Sequence, residues 1–460
     1  MAWTKKQKSI IAIVAVTSFM GTFLVSSINI ALPSIEKSFG LDAVRLSWVI
    51  TAFLLGTAMF LLPVGRLGDI KGIRRFFKIG VVIFTLSSLV CGLIDSGLGL
   101  ILARYVQGVG AAFTNTTGPA ILVSAFLPKY RGRVLGISVA AVYLGLALGP
   151  FAGGLLTEYL GWRSIFITAF VLGVITIIIA FVFLGKDNLA QDAVKKIDLK
   201  GTVFYMLGLI ALIYGASNIP AVIGWIMIGV GIVTLGIFWF LENQSSMPVI
   251  NTKLYMHNRL FAYSNLAALI NYSATFAIVF LLSLFLQKIQ GFSPRYAGMI
   301  LVAQPAVMAF VSPIAGRLSD RIQPRYLTTA GMSMCTLGLA SFAFLTASTP
   351  VWGIVFLLIW VGLGFAFFSS PNMSTIMGSV DKTQFGLAAG SAATMRVLGQ
   401  ITSMTIATLF FAGMFEGEAV ESVSDILFLE AMKWVFLSFA LISAVGIYFS
   451  YNRGRMSRTG

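Results

Sequence analysis

Charge is scarce in this chain. Of its 460 residues only 10% are charged, against about 25% in a typical soluble domain. So few charges cannot cover the surface of a water-soluble enzyme or keep a disordered chain solvated. Cysteine is nearly absent. The two present, Cys91 and Cys335, each sit in an apolar run and exclude a disulfide framework and a cysteine-held metal cluster. The single histidine, His257, has no partner ligand near it in the sequence and reads as a surface or interface residue. Acids are half as frequent as bases, 16 against 32, for a net charge of +16. There is no P-loop and no catalytic constellation, and the loops are too short for a nucleotide domain. These absences argue against a membrane enzyme and an ATP-driven pump. No metal, cofactor or nucleic-acid partner is expected.

What is present is apolar. Hydrophobic residues make up 58% of the chain and aromatics 13%, there are 46 glycines, and the mean hydropathy is +0.93. A helix that crosses a bilayer needs about 20 predominantly apolar residues. Runs that satisfy this fall near 9–33, 43–63, 76–94, 98–120, 133–157, 161–184, 199–218 and 219–241. More follow near 259–287, 296–316, 326–346, 350–372, 386–413 and 430–452, making fourteen. The break at Asn218-Ile219-Pro220 divides the seventh run from the eighth. The first run is too long for a signal-peptide core and is read as a retained helix. An even count puts both termini on one side. Taking that side as cytoplasmic, 24 Lys and Arg fall in inside segments and six outside, with Arg104 and Arg396 left within spans. That asymmetry is the positive-inside pattern. The fold class is therefore an all-α membrane protein with fourteen transmembrane helices and both termini cytoplasmic.

The chain echoes itself. Gly65-Arg66-Leu67-Gly68-Asp69 follows the second run, and Gly316-Arg317-Leu318-Ser319-Asp320-Arg321 follows the tenth. With runs seven and eight set aside, the two segments hold the same place in two six-helix halves. The expected divisions are a first bundle over 1–185, a loop with two inserted helices over 186–258, and a second bundle over 259–460. Parallel repeats of this kind build many secondary transporters.

Several motifs resemble the major facilitator superfamily. Gly65, Leu67, Asp69, Gly72 and Arg74 are similar to its loop signature, and Arg104 to Ala112 (RYVQGVGAA) to its fourth-helix signature. The run Gly145 to Gly154 (GLALGPFAGG) resembles the fifth-helix motif associated with antiporters. Asn29 to Pro33, Trp48 to Phe53 and Gly161-Trp162-Arg163 resemble the fourteen-span drug:proton antiporter branch. The resemblance implies two six-helix bundles with two inserted helices. It also implies a proton-coupling role for Arg104 and a cytoplasmic latch built from Gly65, Asp69, Gly72 and Arg74, repeated at Asp320 and Arg321. The residues allow plainer readings too: Arg104 as an arginine bonded to carbonyls, Asp69 as a solvated loop charge.

Gly145, Gly149, Gly153 and Gly154 recur near helical spacing, so a face without side chains lets another helix approach closely. Pro150 removes a backbone donor within that run. Polar residues inside spans are candidates to line a cavity: Ser26, Asn29, Gln107, Asn115, Asn271, Tyr272, Gln304, Arg396 and Gln400. The antiporter branch carries an aspartate in its first helix, and Leu24 stands at that position here. No acid lies at the centre of a span, which leaves Glu158 and Asp69 beside Arg104 as proton-coupling candidates. The expected activity is efflux of a lipophilic or amphipathic compound by alternating access, in exchange for protons, from a monomer in the cell membrane. The alternative is one dedicated neutral or anionic metabolite or lipid, not necessarily coupled to protons.

Overall fold

The computed structural model describes residues 3–185, 187, 199–244, 252–381 and 384–455, and it is helical throughout with no strand among them. Lys186, Lys195, Lys196, Lys382 and Arg458 lie outside the described residues, as do the side chains of Asp69, Lys129, Arg131, Arg133 and Lys253.

The first six helices are α1 (Lys5–Phe39), α2 (Ala43–Lys71), α3 (Ile73–Leu93), α4 (Gly97–Ala125), α5 (Pro128–Leu160) and α6 (Arg163–Phe183). Next come α7 (Leu199–Ser217), α8 (Val222–Gln244) and the short α9 (Thr252–His257). The remainder is α10 (Arg259–Thr275), α11 (Ile278–Leu284) with a π-helical turn at Phe285–Ile289, α12 (Pro294–Leu301), α13 (Ala303–Ser319), α14 (Pro324–Phe342), α15 (Val351–Gly378), α16 (Phe385–Met414) and α17 (Asp425–Asn452).

Local chemistry sets the helix ends. Thr4 and Gln7 form a reciprocal capping box at the start of α1. Asp42, Ser96, Asn258, Ser293 and Ser424 each accept a first-turn N–H. The sequence places a loop after Gly65–Asp69, but α2 continues to Lys71. The whole turn is then Gly72, whose φ of 103° suits a residue without a Cβ.

Among the described residues twelve helices are long and apolar enough to cross a membrane, counting α10 through the π-turn as one and α12 with α13 as one. Fourteen are expected from the sequence, and the two that fall short are α4 and α14. Arg104, Gln107 and Asn115 dilute the first. Arg325, Tyr326 and a run of Thr, Ser and Gly dilute the second.

Packing repeats the sequence echo. In the first bundle α1 packs on α5 and α6, α2 on α4, and α3 on α4 and α6. In the second, α10 packs on α16 and α17, α13 on α15, and α14 on α15 and α17. These are the same pairings, with α10 in the place of α1 and α13 to α17 in the places of α2 to α6. The pair α7/α8 leans on α2 and α16 through α7. Trp48 Nε1 donates to Ser217 Oγ at 3.1 Å and Tyr205 to the Ala58 carbonyl at 3.0 Å. Outward faces are apolar: Leu86 and Val90 of α3, Ile178 and Val182 of α6, and Trp225 and Phe240 of α8 are exposed. Such a girdle suits hydrocarbon rather than water.

Candidate functional site

The glycine run on α5 serves two faces. A Cβ at Gly145 would lie 2.3 Å from Thr22 Oγ1, at Gly149 2.5 Å from Ser26 Cβ, and at Gly153 2.6 Å from Ser27 Cβ, all on α1. Gly154 is one residue on, turned by about 100°. There a Cβ would lie 2.5 Å from the Pro294 carbonyl of α12, while one at Gly298 would lie 2.2 Å from the Pro150 carbonyl. The sequence puts all four glycines on one face. The structure corrects this to three facing α1 and one facing the second bundle.

Two prolines leave carbonyls for other helices to use. Pro150 has no N–H for the carbonyl of Leu146 four residues back, and Ser26 Oγ donates to that oxygen at 3.2 Å. Ser26, a cavity candidate from sequence, is thus spent on the α1–α5 seam. Pro33 likewise releases the Asn29 carbonyl, and Ser283 Oγ of α11 donates to it at 2.6 Å. Gln287, in the π-turn, donates to the Ile30 carbonyl at 3.0 Å.

These bonds belong to a joint between the bundles at the Glu158 end. Glu158 accepts from Ser293 Oγ at 2.6 Å and from the Arg295 N–H at 3.1 Å, and Arg295 donates to the Tyr159 hydroxyl at 3.0 Å. Glu36, near the end of α1, is 4% exposed and accepts from the Glu421 N–H at 3.0 Å. Lys288 donates to the Glu421 and Val423 carbonyls. Thr408 of α16 donates to Ser47 of α2 at 2.7 Å.

Arg104 lies elsewhere, sealed inside the first bundle. It donates through Nε to the Val49 carbonyl at 3.0 Å and through Nη1 to Gln107, and it stacks 4.4 Å above the Phe53 ring. Gln107 passes the chain on to Ser88 Oγ at 2.6 Å. Gln107 is fully buried there, so it lines no cavity, contrary to the expectation from sequence. Arg104 shares no partner with Glu158. The second bundle holds a counterpart that sequence reasoning placed in a terminal loop. Arg453 is 1% exposed and donates to Asn372 Oδ1 at 2.6 Å, Ser264 Oγ at 3.3 Å and Ser450 Oγ at 2.9 Å. Its only signal in the sequence is the serine one turn before it.

One cluster brings both bundles together. The Tyr272 hydroxyl of α10 hydrogen-bonds with Ser369 of α15 and lies within electrostatic reach of Arg396 of α16 and Tyr143 of α5. The Tyr272 ring meets Phe365 edge-on at 5.4 Å. Arg396 and Gln400 are half-buried one turn apart, and Asn115 is exposed. The remaining candidates are orphans. Asn29 Oδ1 and Gln304 Oε1 are buried without a partner among the described residues, and the Asn271 amide, inside the second bundle, faces only the weakly bonding Cys335 thiol.

The latch residues are spread out. Gly65 faces Thr116, the Asp69 side chain lies outside the described residues, and Asp320 and Arg321 are exposed. The N–H groups of Arg74 and Arg75 donate to the Asp187 carboxylate, at 3.0 Å each. That acid was not a candidate from sequence.

The family profile described as Major Facilitator Superfamily matches residues 11–404 and, in a second placement, 266–456. The chain belongs to the major facilitator superfamily. Among relatives of this major facilitator, the riboflavin transporter RibZ of Clostridioides difficile is 34% identical over 414 residues, covering 89% of each chain. The multidrug resistance protein Stp of Mycobacterium tuberculosis is 31% identical over 386 residues, covering 82% of this chain and 71% of its own. A solved bacterial homologue of the human lysosomal transporter Spinster shares the fold at a TM-score of 0.68 and 14% identity, covering 98% of each chain. A D-xylose–proton symporter does so at 0.67 and 11%, over 96% of this chain and 97% of its own. The chain is a multi-pass integral membrane protein and a secondary transporter, not an enzyme.

Proposed function

We propose that this major facilitator moves a neutral or anionic amphipathic compound through the Tyr143–Tyr272–Arg396 cluster by alternating access, with riboflavin the first compound to test. The observation that carries the reading is the charge at that cluster. Arg396 forms no salt bridge among the described residues. Every acid among the described residues lies in a loop or in the first or last two turns of a helix. A guanidinium without a counter-charge, set among tyrosines, favours a planar or anionic body over a cation. The 34% relative with a riboflavin name supports the same class. Counterflow of riboflavin in proteoliposomes tests this, and Arg396→Gln should slow it about tenfold or more, the loss of one charged hydrogen bond. Unaltered counterflow in that variant counts against the cluster.

A second reading, export of lipophilic drugs in exchange for protons, is supported by the relative named for multidrug resistance and by the α5 glycine run. For coupling, Glu158 is the candidate best supported, because it bridges the bundles where they must part. Asp69 remains a candidate of the resemblance, and Arg104, sealed within one bundle, would act through packing alone. Glu158→Gln keeps an acceptor for Ser293, so ungraded flux should persist while any response to a pH gradient is lost. A gradient response equal to that of the parent removes Glu158 from the coupling path.

We further infer that α4 and α14 also span, giving fourteen helices in bundles over 1–185 and 259–460 with 186–258 between them. The positive-inside asymmetry supports cytoplasmic termini in the cell membrane. The Glu158 end is then outermost and closed, and the protein acts as a monomer.

A further inference from the structure

A groove runs between α3 and α6 at the Arg74 end, on the outward face of the first bundle. It holds about 640 Å³. Its mouth carries three cations, Lys71, Arg75 and Lys78, and its floor is Ile79, Val82, Ile83 and Phe181. Lys78 Nζ lies over the Phe181 ring, 5.1 Å from its centroid. The one acid at the mouth among the described residues, Asp187, has both oxygens taken by the Arg74 and Arg75 N–H groups. None of the three cations forms a salt bridge among the described residues.

Transport by the central cluster makes no use of this groove. We propose that it holds an anionic phospholipid of the surrounding leaflet, phosphate among Lys71, Arg75 and Lys78 and acyl chain along Val82 and Phe181. Charge complementarity selects the headgroup, since one carboxylate leaves the mouth with net positive charge. Continuity selects a lipid over a free anion. The floor leads onto Leu86 and Val90, exposed by 54% and 48% on the same helix, and an inorganic ion would leave that apolar floor bare. Basic pockets between membrane helices bind phospholipid headgroups on this physical ground. The site sits where Gly72 joins α2 to α3, so a bound lipid braces that junction.

Native mass spectrometry of the purified full chain, with phosphatidylglycerol and phosphatidylcholine offered together, tests the proposal. The parent should retain phosphatidylglycerol at least about tenfold better, as cumulative attraction to several Lys/Arg implies. The combined variant Lys71→Gln, Arg75→Gln, Lys78→Gln should lose that preference. Arg317→Gln, Arg321→Gln, Arg455→Gln, equal in charge removed and all in the second bundle, should keep it. Val82→Trp fills the floor with every charge intact and should weaken retention as well, and it carries the test if the triple variant does not fold. Equal retention of the two lipids by the parent, an unchanged preference in the triple variant, or unchanged retention in Val82→Trp each overturns the proposal. So does displacement of the lipid by millimolar inorganic phosphate, which marks a free-anion site. None of these readouts depends on what is transported.

Discussion

The two bundles meet through equivalent helices that are built differently. On one side of the joint α5 of the first bundle packs on α12 and α13 of the second. On the other, α16 of the second packs on α2 of the first. The first contact is backbone on backbone, Gly154 against the Pro294 carbonyl and Gly298 against the Pro150 carbonyl. The second is side chain on side chain, Thr408 to Ser47. A contact with no side chain has one tight packing and tolerates nothing inserted, whereas a hydroxyl pair can be exchanged for a contact of similar shape. Rocking between two packings therefore depends more on the α5 side than on the α16 side.

Five predictions press on that contrast. The largest effect belongs to Gly298→Leu. Overpacking costs about 1–3 kcal/mol, enough to shift a two-state balance about 5- to 150-fold. Flux should fall accordingly, and a cysteine placed at Ala297, buried on α12, should label faster as that end is wedged open. The native Cys91 and Cys335 are buried, so the background is low. Gly149→Leu should also abolish flux, by forcing α1 away from α5, but without increasing labelling. Next come the buried arginines, one in each bundle. Arg104→Ala leaves the Val49 carbonyl and Gln107 without their donor, about 1–3 kcal/mol for each group, and should lower the melting temperature in detergent more than Arg453→Ala. Arg453 sits one residue past the end of α17, where water can replace it. An equal loss in the two variants would erase the distinction between the bundles.

Smaller is Ser283→Ala. It removes the donor to the Asn29 carbonyl that Pro33 leaves open, about 1 kcal/mol, and should raise labelling of the cysteine at Ala297 severalfold. Pro33→Ala in the same background supplies a helical N–H and should restore slow labelling. The smallest effect is expected of Thr408→Val, with flux within about twofold of the parent, because Ser47 Oγ keeps its own donor bond to the Val44 carbonyl. A severe loss there would mean that both sides of the joint are equally strict.

Much of this was legible in order along the chain. The apolar runs, the echo at Asp69 and Asp320, and the pairing of Arg104 with Gln107 three residues on are all local patterns, and helical periodicity exposes them. The partners across helices were not legible. Nothing in the run near Pro33 says that its freed carbonyl will meet Ser283, about 250 residues later, because that contact is set by how two bundles dock. Arg453 looked like a loop charge because it follows the last apolar run, yet three helices converge on it. Gln107 and Ser26 looked like cavity residues because a polar group in a span has only two uses, lining or bonding, and sequence does not separate them. Tyr143 was missed since a tyrosine in an apolar helix gives no polar signal until Tyr272 is placed opposite.

The central claim is that an uncompensated Arg396 beside two tyrosines selects neutral or anionic amphiphiles. Proteoliposome flux of riboflavin, an anionic dye and ethidium, measured side by side with and without an imposed pH gradient, tests it most directly. The account predicts that riboflavin or the anionic dye moves, that ethidium does not, and that Arg396→Gln removes the difference. Ethidium flux driven by the gradient, with riboflavin and the anionic dye both excluded, would contradict it.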